Sequence, residues 1–192
     1  MRLNIVGMVG AIIALVSLVL PWWTMTISAS HFFSSATMSI YPCRPPYWDT
    51  YQETTIIPWL PEGRAGGAGI AISIGRLSAF FLVLIGGVMG IIGSLSQRTR
   101  KYLVIGGLLA LLSVNIFAVG LQIELSNEVA MQGVPPTPTV SLFSSGNVLG
   151  SYYITYLSFG FLLALIAGIV MLAASRIKLE TGASEPISPP PA

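Results

Sequence analysis

Charge is what this sequence has least of. Its 192 residues include nine Lys or Arg and seven Asp or Glu, 8% charged in all, while 54% are apolar. A soluble domain carries roughly 25% charged residues, so an ordinary water-solvated globule is excluded. The net charge of +2 is spread without any basic run, which excludes nucleic acid as a partner.

Ligands are equally scarce. A single cysteine, Cys43, excludes an intrachain disulfide and a multi-cysteine metal or iron–sulfur site. A single histidine, His31, leaves a haem, zinc or non-haem iron centre short of ligands. Asp49, Glu53 and Glu62 lack the order of a calcium loop. No Ser-His-Asp order appears, and "GRAGGAG" at 63–69 lacks the flanking strand and Lys-Ser/Thr of a phosphate loop. The expectation is a protein that is not an enzyme, with no cofactor and no metal.

What the chain does have is long charge-free runs. Four of them, at 3–20, 77–95, 102–121 and 154–174, reach the roughly 20 residues that a hydrocarbon core about 30 Å thick demands of a helix. None holds a proline; Pro21 stands at the first boundary and the other twelve fall in loops and tail. Open backbone in lipid is costly, so each run is expected to be a continuous helix.

Arg2, then Arg98, Arg100 and Lys101, then Arg176 and Lys178 flank the runs on one side, the cytoplasm by the positive-inside rule. The loops at about 21–75 and 122–150 then face out, holding Asp49, Glu53, Glu62, Glu124 and Glu128 against Arg44, Arg64 and Arg76. The fold class expected is an all-α membrane protein: a four-transmembrane-helix bundle, both termini cytoplasmic, with a small β-containing extracellular first loop. Its parts are helix 1 at 1–21, outer loop 1 at 22–75, helix 2 at 76–96, a cytoplasmic turn at 97–101, helix 3 at 102–121, outer loop 2 at 122–150, helix 4 at 151–175 and a disordered tail at 176–192.

A small-x-small "SAS" at 28–30 outlines a signal-peptidase site, but the apolar run before it is too long and "PWWTMTI" too bulky. The first helix is therefore expected to stay, with Trp22 and Trp23 as interfacial anchors in the headgroup layer. Period-two alternation in "WWTMTIS" at 22–28 and "ATMSIY" at 36–41 predicts a β-hairpin, with "IAISI" at 70–74 a third strand or an extension of the second helix. The rest of loop 1, and "GVPPTPTV" at 133–140 in loop 2, read as irregular but stiff.

Small residues recur four apart: Gly7 with Ala11, and Gly10 with Ala14, on helix 1; Gly86, Gly90 and Ser94 on helix 2; Gly106 and Ala110 on helix 3; Gly160, Ala164 and Gly168 on helix 4. Such stripes let helices approach in lipid. They are expected to pack the bundle, the longest, on helix 4, being the alternative face for another protein. Asn115 is the one strongly polar residue in mid-span, and an interhelical hydrogen bond is expected of it. "GAIIALVS" at 10–17 echoes "GGLLALLS" at 106–113, and "LSAFFLVL" at 77–84 resembles "LSFGFLLA" at 157–164, a pattern that a limited membrane alphabet also produces.

In its order of parts the chain is similar to the claudin-type four-helix proteins: "PWW" at 21–23 leaves the first span, and strands are expected in a longer first outer loop. The Gly-Leu-Trp signature and the loop cysteine pair of that family are absent, "SIYPC" at 39–43 being the nearest passage, so no functional residue is carried over.

The function expected is that of a non-catalytic multi-pass membrane protein with a structural or protein-interaction role through its outer loops, Tyr47, Trp48, Tyr51 and Trp59 being candidate contacts. The alternative is an accessory scaffold subunit of a transporter or respiratory complex. Partners are the lipid bilayer and other membrane proteins or a second copy. The absence of Asn-x-Ser/Thr from both outer loops points to a prokaryotic plasma membrane.

Overall fold

A computed structural model describes residues 3–28, 36–42, 47–50, 74–96, 99–131, 141–148 and 151–177. The chain is mostly helical: α1 Ile5–Ser17, α2 Ile74–Leu95, α3 Arg100–Met131 and α4 Phe159–Arg176. Strands β1 Trp23–Ile27, β2 Ala36–Ile40 and β3 Tyr47–Thr50 lie between α1 and α2, and β4 Ser144–Val148 and β5 Ser151–Leu157 between α3 and α4.

Three helical stretches are long and apolar enough to cross a membrane: Ile74–Leu95, Arg100–Ile123 and Phe159–Arg176. The first helix has 13 residues as α-helix, about 20 Å. Its backbone stays paired further on, since the amides of Leu18, Val19 and Leu20 donate to the carbonyls three residues back at 3.2–3.3 Å. Pro21 then stops the helix by disfavouring the helical conformation of the residue before it.

The helices close a ring in which α1 packs on α2, α2 on α3, α3 on α4 and α4 on α1, with little contact across the diagonal between α1 and α3. The packing is inverted relative to a soluble bundle. Inside stand Gly7, Gly10, Ala11, Ala14, Gly86, Gly90, Gly106, Ala110, Ala164 and Gly168; outside stand Val9, Ile12, Val16, Phe81, Ile85, Val88, Leu108, Leu112, Leu162 and Ile166. A Cβ on Gly106 would lie 2.5 Å from the Gly86 carbonyl oxygen, and one on Gly90 2.8 Å from Ala11 Cβ. Backbones touching at that range need the small stripes.

Asn4 fastens the end remote from the strands. Its amide donates to Ser94 O at 2.8 Å, its Nδ2 to Ala174 O at 3.0 Å, and its Oδ1 caps α1 by accepting from Gly7 N at 3.0 Å. One buried residue therefore ties α1 to the end of α2 through its backbone and to the end of α4 through its side chain.

The strands form one antiparallel sheet in the order β3-β2-β1-β5-β4. The expected hairpin is present, with Trp23 opposite Ile40 and Ile27 opposite Ala36. The sheet also takes two strands from the second loop, which the sequence reading treats as irregular. Ser151–Leu157 is β5, not the start of the fourth helix. Its Tyr, Ile and Thr residues alternate, Tyr153 and Thr155 buried and Tyr152, Ile154 and Tyr156 exposed, a strand pattern hidden inside an apolar run. Helix α3 starts at Arg100, inside the expected turn, and runs ten residues past position 121 to Met131. "IAISI" splits: Ile74 opens α2, whereas 70–73 lie outside the described residues, as do His31, Cys43 and the tail from 178.

Replacing Asn4 with Ala removes a helix cap and the side-chain tie to Ala174 O at once, while the backbone tie to Ser94 O is kept. The expected loss is about 1–2 kcal/mol, read as a lower melting temperature of the detergent-solubilised protein. An unchanged melting curve would show that the Asn4 side chain fastens nothing.

Candidate functional site

The chain that leaves α1 must turn from helix to strand at the point where β5 turns back to helix, and each turn satisfies the other. Ser158 is the N-cap of α4, but its hydroxyl is hydrogen-bonded to the Thr24 hydroxyl and does not cap the helix. The amides of Ser158 and Gly160 donate instead to the carbonyls of Trp22 and Pro21, both at 2.9 Å. Orphan amides of a helix start are thereby paired inside the fold. Gly160 makes the approach possible, since a Cβ there would lie 2.5 Å from Trp22 Cδ1 and 2.8 Å from Leu20 O and Pro21 O.

Trp22 and Trp23 point to opposite sides of this junction, and both are fully buried. Trp22 enters the helix bundle, edge-on to Phe117 at 4.9 Å and to Phe161 at 6.1 Å, and its Nε1 donates to Ser17 O at 2.8 Å. Trp23 lies on the core face of the sheet with Met25, Ile27, Met38 and Ile40, its Nε1 donating to Leu142 O at 3.2 Å. The expected headgroup anchors are thus interior pins. Their indole N–H groups are met by backbone carbonyls at places lipid does not reach, which sequence alone does not distinguish from an interfacial belt. Large rings that do face outward at this end are Phe143, Phe159, Tyr152 and Tyr156.

The segment entering β4 is clamped from both sides. Leu142 N donates to Gln122 Oε1 of α3 at 3.2 Å, and Thr155 Oγ1 accepts from Ser144 N at 2.7 Å while donating to Ser141 O at 2.9 Å. The overhang of α3 beyond position 121 is what brings Gln122 and the buried Leu125 under the sheet. Tyr153 packs its ring over Gly146 on the same core face, and its buried hydroxyl has no hydrogen-bond partner among the described residues.

Arg76, counted with the outer-loop charges, belongs to the first turn of α2 and is fully buried. Its turn abuts α3, because Gly75 Cα lies 3.3 Å from where a Cβ on Gly120 would stand. The spacing foretells this: Arg76, Ala79, Val83, Gly86 and Gly90 recur at three and four residues, all on the buried face.

Of the expected contact residues, Tyr47 and Trp48 sit on β3 in register with Ser39 and Met38. Tyr51 and Trp59 lie outside the described residues. The helix-packing set Gly86, Gly90, Gly160, Ala164 and Gly168 is buried between helices or at the junction, so the α4 stripe is used within the chain: a Cβ on Gly168 would stand 2.8 Å from Leu111 Cγ and 3.1 Å from Gly107 O. Asn115 departs from expectation. It faces outward, and its Nδ2 donates to Leu111 O of its own helix at 2.8 Å, with no interhelical bond.

Among the described residues no group of three or more His, Cys, Asp or Glu gathers in a way that could hold a metal. No protein-family model matches the chain, and no curated protein matches it either.

A methyl group at Gly160 should prise the bundle from the sheet. Gly160→Ala is expected to cost about 1–3 kcal/mol, the usual range for overpacking. Gly120→Ala, whose nearest neighbour is Gly75 Cα at 3.3 Å, should cost less. Thermal unfolding followed by tryptophan fluorescence checks the order, since Trp22 lies against Gly160; equal effects would refute the junction as the tighter fit.

Proposed function

We propose that this is a non-catalytic, multi-pass integral membrane protein whose four helices anchor a rigid extracytoplasmic sheet used to contact another protein. The membrane reading is supported by the inverted packing, because large aliphatic side chains facing outward on every helix suit lipid as the outer solvent. The orientation is supported by charge. The helix ends joined through Asn4 carry Arg176, the start of α3 beside the end of α2 carries Arg100 and Lys101, and the sheet lies at the opposite ends. Lys101 also stands 5.6 Å over the Tyr102 ring, an arrangement that suits the cytoplasmic interface. The membrane proposed is a prokaryotic plasma membrane, on the ground that neither outer loop carries an Asn-x-Ser/Thr acceptor.

The observation that carries the contact role is the row Tyr152, Ile154 and Tyr156 on β5, each 41–46% exposed on the sheet face turned away from the core. At about 3.4 Å per residue, Tyr152 stands up to about 20 Å from the α4 cap, beyond the few ångströms of a headgroup layer. Tyrosines held on a strand next to the centre of a sheet offer large, partly apolar contact area with little freedom left to lose.

Two measurements test the reading. Reporter fusions at residues 1 and 192 should both report the cytoplasmic side, and opposite sides would overturn the topology. The chain purified from native membranes in mild detergent should retain a companion protein that the double variant Tyr152→Ser with Tyr156→Ser loses, at unchanged yield and melting temperature. A companion retained equally by the variant, or none with the unaltered chain, would overturn the contact role.

A further inference from the structure

The outward face of α3 differs from those of its three neighbours in one side chain. Along it run Ile105, Leu108, Leu112, Asn115, Val119 and Ile123, spaced three or four residues apart and all exposed, while Gly106, Ala110, Ser113, Val114 and Phe117 fill the bundle behind them. The corresponding lines on α1, α2 and α4 are apolar: Val9, Ile12 and Val16; Phe81, Ile85 and Val88; Leu162, Ile166 and Ile169. Asn115 stands about two thirds of the way along the apolar stretch Arg100–Ile123.

The helix satisfies hydroxyls there but not this amide. Ser17, Ser94, Ser113 and Ser175 each donate their one proton to a carbonyl of their own helix at 2.6–2.7 Å. Asn115 does the same through Nδ2, at 2.8 Å to Leu111 O. A primary amide has a second N–H and an acceptor oxygen as well, and neither meets a partner in this chain among the described residues. In hydrocarbon such groups favour whatever neighbour supplies the complement.

We propose that this neighbour is a second copy of the chain, joined across a two-fold axis normal to the membrane with α3 against α3 and Asn115 against Asn115. Copies inserted by the same charge rule share one orientation, so such an axis brings residue 115 of each to the same depth. The amide is its own complement there: each supplies the donor the other's oxygen needs. From Ile105 to Val119 the spacing alternates three and four residues, that of a left-handed helix pair, in which one buried Asn sets register and copy number. The proposal rests on the membrane reading and needs no contact made by the sheet.

The test uses the full chain in lipid vesicles. Self-association is followed by energy transfer between labelled copies as the chain is diluted in lipid. Asn115→Leu should weaken association at least tenfold, while Asn115→Gln, which keeps both donor and acceptor, should retain it. In a Cys43→Ser background, Asn115→Cys should form a disulfide-linked dimer on oxidation much faster than Ile166→Cys on the outward face of α4. Equal association by Asn115→Leu, equal crosslinking at 115 and 166, a monomer at every dilution, or crosslinking of position 115 in native membranes only to a different protein would each overturn the proposal. Resistance of the same chain to alkaline carbonate extraction separates the cases: an integral but monomeric chain refutes the pairing alone, whereas an extracted one refutes the membrane reading with it.

Discussion

The contacts on which this fold depends are those where helix backbones approach closely, the kind of contact that holds helices together in hydrocarbon, where no hydrophobic effect drives them to associate. Gly106 against Gly86, Gly90 against Ala11 and Gly168 against Gly107 are contacts at which a side chain of any size would force the helices apart. Dispersion falls off within an ångström of separation, so many small contacts hold only when the fit is tight everywhere. The same economy explains the outward Leu, Ile, Val and Phe. In the proposed lipid setting bulk is well placed outside, and where two backbones touch the interior holds Gly and Ala, which lose no side-chain entropy on packing.

That closeness places the chain exits of α1 and α4 side by side, and the sheet is built on the coincidence. Trp22 and Pro21 lend carbonyls to the first amides of α4, and β5, emerging from the same point, pairs along β1 with Trp23 opposite Leu157. The first loop alone would make a three-stranded sheet with one edge open beside β1. The second loop closes that edge with β5 and adds β4 outside it. Trp23, Gln122 and Thr155 then hold the entry to β4, Gln122 tying it by a hydrogen bond to α3 of the bundle.

How much of this the sequence discloses follows from which signals are local. Charge-free length, the basic flanks and the alternation of β1 and β2 can be read within a window of twenty residues, and the helices and first hairpin were legible for that reason. The β5 strand was not: "YITYLSFGF" carries no charge and runs straight into the helix, and hydropathy alone does not mark where the strand ends. Its identity is decided by pairing with residues about 130 positions away. The burial of Trp22 and Trp23 is likewise tertiary, since an indole at the end of a span satisfies the lipid-interface and interior readings equally. Arg76 is the opposite case. Its place on the buried face was written in the period of its neighbours, but a charge at a helix mouth reads first as a loop residue. Asn115 was singled out by type, but the interhelical bond expected of it is not made among the described residues, because the local pattern does not tell which way it faces.

The division of labour between helices and sheet bears on what kind of work the chain is fit for. A site that moves protons or ions through a bilayer needs ionisable or liganding groups along a path, each held at a cost. In the described bundle the interior polar groups of α1, α2 and α3 are serines bonded to their own helices, with Arg76 enclosed at the sheet end. What the described fold assembles at the sheet end is two buried tryptophans, an interlocked helix start and a sheet drawing on both loops. Association is penalised by every rotamer and loop that must be ordered, so a surface ordered in advance binds with less of that penalty. The tyrosines of β5 are paired into such a sheet, so the proposed contact role rests on how they are held as much as on their chemistry.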